Sequence, residues 1–300
     1  MSNVESHFRK MVFPERRTIV ITGGNSGIGF ATAQYCVRLG YHVILAVRNL
    51  SRGEAAKESL LSLCPDAKVD VYLLDLASLE SIDAFTHRIQ QEHLDIDIFY
   101  CNAGIYRVPF AMVFAGFESQ IGVNYVANLV LFQKLEAYFL SLPHPVKFIL
   151  TSSIVARFPH LSTTDLYGEK KYNKSRTYQK SKLAINYFYE YLRERNSYTN
   201  IIPLLVHPGI VFTSLIAKAY PNKLVLAIKR FLRLFFNKPE KAALSTMRLL
   251  EKDIVSPCFC GPRGLGHTAG YPKIYPLYQG NIKDSKAFIE FTLDALKQAK

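Results

Sequence analysis

The segment Thr22-Gly-Gly-Asn-Ser-Gly-Ile-Gly29 lies between a short β-rich run, Arg17–Thr22, and a helical stretch from Gly27 to about Leu39. A glycine-rich turn in that setting constrains the chain to a layered α/β arrangement, with a helix springing from the carboxyl end of a strand. Gly23 permits the tight turn, Gly27 lets the backbone approach a pyrophosphate, and Gly29 lets helix and strand pack closely. Asn25, Ser26 and Ile28 complete the turn. The free N–H groups at a helix start meet phosphate charge favourably. An ordinary β-to-α turn is the plainer reading, but a strand before and a helix after supply the context a dinucleotide site requires.

The rest of the chain keeps the alternation. Strands are expected at 41–47, 69–74, 96–101, 146–152 and 201–207, with a last short one at 257–261. Helices are expected after Ser51, which with Glu54 forms an S-x-x-E capping box, and after Ser78. Others fall at about 119–140, 175–196, 214–236 and 239–252. Continuous apolar strands between helices predict a parallel sheet covered on both faces, a Rossmann-type doubly wound α/β fold. No linker composition or repeat divides the chain. Residues 1–16 read as an N-terminal extension and 17–300 as a single domain.

Apolar residues make up 49% of the 300, which excludes a disordered chain. No stretch of about 18 uncharged apolar residues suits a membrane span. The N-terminus MSNVESHFRKMVFPERR lacks the apolar core of a signal peptide, so a cytoplasmic location is expected. Five cysteines, an odd number without a pairing pattern, agree with a reducing compartment. Cys258 and Cys260 lack the second Cys/His pair of a zinc site, so no metal is expected. Cys101 reads as core. The net charge of +13 raises the question of nucleic acid. The basic residues are dispersed and no nucleic-acid-binding motif stands out. A positive field drawing in an anionic cofactor or membrane surface is the better reading.

Two acidic or basic choices bear on the cofactor. The carboxylate expected about 20 residues beyond the glycine turn, to bind a ribose 2′-OH, is missing. The second strand instead ends Ala46-Val47-Arg48-Asn49. An arginine there suits a 2′-phosphate through a forked contact, so NADP(H) is expected over NAD(H). Asp75, followed by Leu76, can accept from an adenine amino group or cap the next helix, and both can hold.

Tyr178 and Lys182 are i and i+4, so they share a helical face. A phenol is a poor acid–base at neutral pH, its ordinary pKa being about 10. A neighbouring ammonium is expected to lower it. Tyr178 would then serve as acid for carbonyl reduction or base for alcohol oxidation. Ser153, at the end of the fifth strand, offers a donor to the carbonyl oxygen, with Ser152 beside it.

These pieces stand in a telling order: TGGNSGIG at 22–29, LDL at 74–76, CNAG at 101–104, VN at 123–124, SS at 152–153, YQKSK at 178–182 and HPGIVFT at 207–213. The chain resembles a short-chain dehydrogenase/reductase over nearly its whole length. The resemblance implies that Lys182 also bonds the nicotinamide ribose and favours Ser153 over Ser152. It implies that Asn124 keeps a helix kink and a relay water, and that Asn102, Ala103 and Gly104 line the cofactor. Pro208, Gly209, Val211 and Thr213 belong to the segment that holds the carboxamide. A complete tetrad argues against an inactive relative.

Ser153 and Tyr178 are 25 residues apart, a long spacing that resembles the retinol dehydrogenase and WW-domain oxidoreductase branch. That branch implies a lipophilic alcohol, aldehyde or steroid as substrate. The chain is expected to lack the branch's membrane anchor and WW domain. The resemblance also implies a substrate lid at about 211–238. Within it, Lys223 to Lys238 forms a basic amphipathic stretch, read as lid packing before peripheral contact with an intracellular membrane. Relatives form dimers, an interface that a long C-terminal tail can cover. A non-catalytic NADP(H)-binding sensor and a peripheral membrane binder are the alternative functions.

Overall fold

The computed structural model describes residues 3–15, 17–168, 172–195, 200–211, 237–276 and 285–298. Strand β1 (Thr18–Thr22) feeds α2 (Gly27–Arg38) through the glycine turn, after a short α1 (Asn3–Phe8). Next come β2 (His42–Val47), α3 (Leu50–Leu63), β3 (Val69–Leu73), α4 (Leu79–Gln91) and β4 (Ile98–Cys101). Then α5 (Ser119–Ile121) continues into α6 (Ala127–Ser141), followed by β5 (Val146–Thr151), α7 (Lys174–Arg195) and β6 (Ile201–Val206). The remaining elements are α8 (Pro239–Leu250), β7 (Cys258–Pro262), β8 (Pro272–Tyr275) and α9 (Ser285–Gln298).

The strands form one sheet in the order β3-β2-β1-β4-β5-β6-β7-β8. Pairs from β3 through β7 are parallel, while β8 runs antiparallel to β7. Register follows side-chain alternation. Ile19 and Ile21 enter one buried cluster with Val43, Leu45 and Ile149, whereas Val20, Ile44, Phe99 and Phe148 enter the cluster on the opposite face. Successive strand residues point to opposite faces, so a strand covered on both sides must be apolar throughout. The expected doubly wound α/β fold is thus observed.

Four local expectations change. Asn49, not Ser51, caps α3: its extended backbone leads from β2 and its side chain accepts from the Arg52 N–H at 2.9 Å. Ser51 lies already inside the first turn, where a cap cannot act. The helix expected at 119–140 is interrupted by a π turn at Gly122–Val126, in which the Ala127 N–H donates to Gly122 five residues back. The strand at 257–261 is not the last, because β8 pairs with it. The C-terminal tail contains α9, whose Phe288 and Ile289 join the core. The helix expected at 214–236, and nearly all of the expected lid, lie outside the described residues.

The N-terminal extension packs on the body. Phe8 is buried against Tyr35 and Phe13, and the Tyr41 hydroxyl donates to Pro14. Among the described residues, no helix is long and apolar enough to cross a membrane.

Candidate active site

The sheet order reverses between β1 and β4, and parallel α/β sheets take ligands beyond the carboxyl ends of their strands at such a point. The glycine turn lies there. Gly23 and Gly27 have positive φ, 65° and 58°, which a side chain would strain. A Cβ on Gly29 would sit 2.5 Å from Asn102 Nδ2 and 2.8 Å from the Gly23 carbonyl oxygen, so only glycine allows this approach. Ser26 precedes α2 in extended conformation and its hydroxyl makes no cap bond. Helix α2 therefore begins without a side chain spent on its first N–H groups.

Asn102 ties the β4 end to that turn, donating to the Thr22 carbonyl at 2.9 Å. The Thr22 hydroxyl accepts from the backbone N–H of Asn102 and Ala103, at 3.0 and 2.9 Å. Thr22, first residue of the glycine motif, is therefore a structural member of the site that the sequence reading leaves without a role. Arg48 is exposed at the end of β2 and makes no ion pair among the described residues. Asn49 spends its side-chain oxygen on the α3 cap. Asp75 does not cap the next helix, whose N-cap is Ser78; it accepts from the Ala77 N–H at 2.9 Å in the turn before it, and Leu76 is buried.

A cavity of about 340 Å³ opens beside these turns. Tyr178 and Lys182 reach it from α7, Ser153 from the end of β5, and Ile28, Asn102 and Gly104 from the cofactor side. Pro208, Gly209 and Val211 line it after β6, while Thr213 lies outside the described residues. The structure adds lining residues that sequence reasoning misses: Ile105, Tyr106, Ile154, Val155, Ser175, Gln179 and Ile210. Tyr106 meets the Tyr178 ring edge-on, with centroids 4.6 Å apart. Its one available signal is its place two residues after CNAG.

The two serines separate cleanly. Ser153 lines the cavity with Tyr178 and opposes the rise of the phenol's pKa, while its own hydroxyl accepts from the Val155 N–H at 3.5 Å. Ser152 is buried, and its hydroxyl donates to Asn186 Oδ1 at 2.5 Å. Asn124 is also buried. Its side chain accepts from the Ile105 N–H at 2.7 Å, and donates to the Ile105 carbonyl at 3.0 Å and to the Ser181 hydroxyl at 2.9 Å. It stands within the π turn at Gly122–Val126. Its own carbonyl accepts from Asn128 Nδ2 at 2.7 Å.

Electrostatics correct one expectation. Burial pushes Tyr178 up to about 12; the nearby Ser153 hydroxyl opposes this and Tyr106 adds to it. Lys182 does not bring the phenol down, because burial dominates and the ammonium donates to the Thr151 carbonyl at 2.8 Å, 5.8 Å from the Tyr178 ring centre. Burial also pushes Lys182 down to about 8, partly offset by the Cys101 thiol. At neutral pH the phenol therefore keeps its proton. Behind the cavity, buried His207 is pushed down to about 3 by burial, and its Nδ1 accepts from the Gly209 N–H at 3.3 Å.

Comparison with known proteins agrees with this geometry. Residues 17–224 match the profile described as short chain dehydrogenase. The chain is 37% identical to retinol dehydrogenase 14 of Mus musculus over 209 residues, 66% of this chain and 62% of that protein. It is 34% identical to WW domain-containing oxidoreductase of Gallus gallus over 208 residues, 66% of this chain and 50% of that protein. The match thus spans less than two-thirds of either relative's length. Among solved structures, an uncharacterized protein from Mycobacterium Paratuberculosis superposes with TM-score 0.76 at 26% identity, over 97% of both chains. L-Sorbose reductase from Gluconobacter frateurii, complexed with NADPH and L-sorbose, gives 0.63 at 20% identity, over 83% of this chain and 96% of that one. A short chain dehydrogenase/reductase from Burkholderia phymatum in complex with NAD gives 0.61 at 18% identity, over 82% and 89%. The last two speak for the fold alone. With the profile covering more than half of its residues, the chain belongs to the short chain dehydrogenase family.

Proposed function

We propose that this chain is an NADP(H)-dependent oxidoreductase that moves a hydride between nicotinamide and a carbonyl or alcohol carbon of a lipophilic small molecule. The observation that carries the reading is the convergence of Ser153, Tyr178 and Lys182 on one cavity beside the glycine turn. The residues fit a nicotinamide dinucleotide, since the space a Cβ would fill at Gly29 is kept clear for close backbone approach. When bound, that cofactor supplies the hydride. The turn from Gly23 to Gly29 would hold its pyrophosphate and Lys182 its ribose. Pro208, Gly209, Val211 and Thr213 would hold the carboxamide end. Exposed Arg48 would pair with a 2′-phosphate, which supports NADP(H) over NAD(H).

The chain's own residues divide the remaining work. The Ser153 and Tyr178 hydroxyls give two donors to a carbonyl oxygen. As the carbonyl carbon gains the hydride, the developing oxyanion takes the Tyr178 proton. Lys182, one helical turn away with its ammonium 5.8 Å from the ring centre, would fix the cofactor ribose beside the phenol. Alcohol oxidation uses the same groups in reverse. Ile105, Tyr106, Ile154, Val155 and Ile210 give the cavity an apolar wall, which supports a lipophilic substrate. The retinol in the relatives' name is such a molecule. On this reading 17–300 is one catalytic domain with its lid at about 211–238, acting in the cytoplasm or at an intracellular membrane surface without nucleic acid.

A panel of lipophilic aldehydes, ketones and alcohols, run with NADPH, NADP⁺ and their non-phosphorylated counterparts, tests the proposal. Turnover with NADPH is expected, falling roughly 10²–10⁴-fold in Tyr178→Phe. NADPH binding without turnover on any member would favour a cofactor-sensing protein instead.

A further inference from the structure

Helix α7 presents one face to the end of β5, and three residues on that face, each one turn apart, engage three consecutive residues of the strand end. Tyr178 shares the cavity with Ser153, which opposes the rise of its pKa. Lys182 donates to the Thr151 carbonyl at 2.8 Å. Asn186 accepts from the Ser152 hydroxyl at 2.5 Å. Positions i, i+4 and i+8 stay within one helical stripe, so the match is a property of the spacing. Tyr178 and Lys182 belong to the site described above; Asn186 has had no role.

We infer that Asn186 is a positioning residue for Ser153, acting through Ser152, in the reaction proposed above. Ser152 and Ser153 both meet the same stripe of α7, Ser152 at Asn186 and Ser153 beside Tyr178 two turns earlier. What keeps Ser153 rather than Ser152 at the phenol is therefore the partner each hydroxyl takes. Ser152 is 3% exposed, and a buried hydroxyl needs a partner. Asn186 supplies it on the α7 side, while the Ser152 N–H stays in the sheet, donating to Val206 at 2.7 Å. Ser152 is thereby held at two points, two helical turns from Tyr178, and Ser153 is left as the serine beside the phenol. Loss of the Asn186 acceptor leaves the Ser152 hydroxyl unpaired, and rotation of the strand end to recover a partner moves Ser153 off the phenol.

The test uses the full chain, NADPH and an aldehyde that the wild type reduces. Variants are Asn186→Ala, Ser152→Ala, their double, Ser152→Thr, and Tyr178→Phe as reference. Thermal unfolding and NADPH fluorescence titration are run alongside. Each alanine variant is expected to lower kcat about tenfold, with KM for the aldehyde and Kd for NADPH within about twofold. The double variant should lose no more than either single, because one hydrogen bond is removed in all three. Ser152→Thr keeps the hydroxyl and should keep wild-type kcat. Unchanged kcat in both alanine variants, losses that multiply in the double, failure of the threonine rescue, or a kcat loss that merely follows lost NADPH binding or folding would overturn the inference. Full turnover in Tyr178→Phe, or no turnover by the wild type on the whole panel, sinks the oxidoreductase reading itself and this inference with it.

Discussion

Lys182 Nζ donates to the carbonyl oxygen of Thr151 at 2.8 Å, pinning α7 to the end of β5 beneath the cavity. The lysine is 5% exposed and no carboxylate pairs with it among the described residues. Its cation is kept in place by the fold rather than by a counter-charge.

That arrangement predicts a lysine that works against stability. Burial holds Lys182 down to about 8, below its unfolded value of 10.5. The unfolded chain therefore binds the proton more tightly, and the penalty is full below about pH 8. It is relieved as pH rises from there through the unfolded pKa. Lys182→Met should abolish turnover yet raise stability at pH 7 by about 1–2 kcal/mol, once the lost hydrogen bond to Thr151 is subtracted. The gain should vanish near pH 10.5. Urea unfolding of both proteins at neutral and high pH checks this; a less stable variant at pH 7 contradicts it.

Arg48 should carry the choice between cofactors. It is exposed, stands at the end of β2, and has no ion-pair partner among the described residues. Replacing Arg48 by Ala should weaken NADPH binding by roughly 10–100-fold, about what a charge-assisted contact contributes, and leave NADH binding nearly unchanged. Paired fluorescence titrations read the ratio, and an equal loss for both cofactors would remove the arginine from the 2′-phosphate role.

Gly29 tests the turn. Its Cβ would meet Asn102 Nδ2 at 2.5 Å and the Gly23 carbonyl at 2.8 Å, and the second contact is backbone that cannot swing aside. Gly29→Ala should therefore displace the turn and cut affinity for either dinucleotide by at least about tenfold. Gly40→Ala is the control, since nothing lies within 4 Å of its Cβ, although its φ of +72° carries its own cost of about 1 kcal/mol. Unaltered cofactor binding in Gly29→Ala would count against close approach at this position.

Phe288 anchors α9. It is 4% exposed and packs on Tyr125 and Tyr187, with centroids 5.7 and 5.5 Å away. The Tyr125 hydroxyl also donates to Thr292 on the same helix at 3.0 Å. Phe288→Ala should lower stability by about 3–5 kcal/mol, the usual loss for truncating a buried phenylalanine. Denaturant unfolding measures it, and a loss under 1 kcal/mol would mean that α9 docks weakly on α7.

Much of the site is legible in the residues because its signals are local. The glycine turn needs only its own neighbours, and the four-residue interval from Tyr178 to Lys182 places both on one helical face whatever surrounds them. Other features depend on partners far along the chain. Asn124 reads as a kink residue, yet its role in joining the Ile105 loop to Ser181 appears only when these segments meet. Strand β8 contains Pro272 and follows Gly270, which read as loop; only pairing with β7 makes it a strand. In α9 the buried positions 288, 289, 292 and 296 do have helical spacing, a signal that the reading of this stretch as a tail passes over.

Local chemistry along the chain determines the α/β alternation, the phosphate-binding turn and the pairing of a phenol with a cation, because each arises from contacts a few residues long. Three matters were decided by tertiary structure: which of two adjacent serines faces the phenol, which way burial moves the Tyr178 and Lys182 protons, and what covers α7. Those outcomes depend on desolvation and on hydrogen-bond partners such as Asn186 and Thr151, and both exist only after distant segments have packed together.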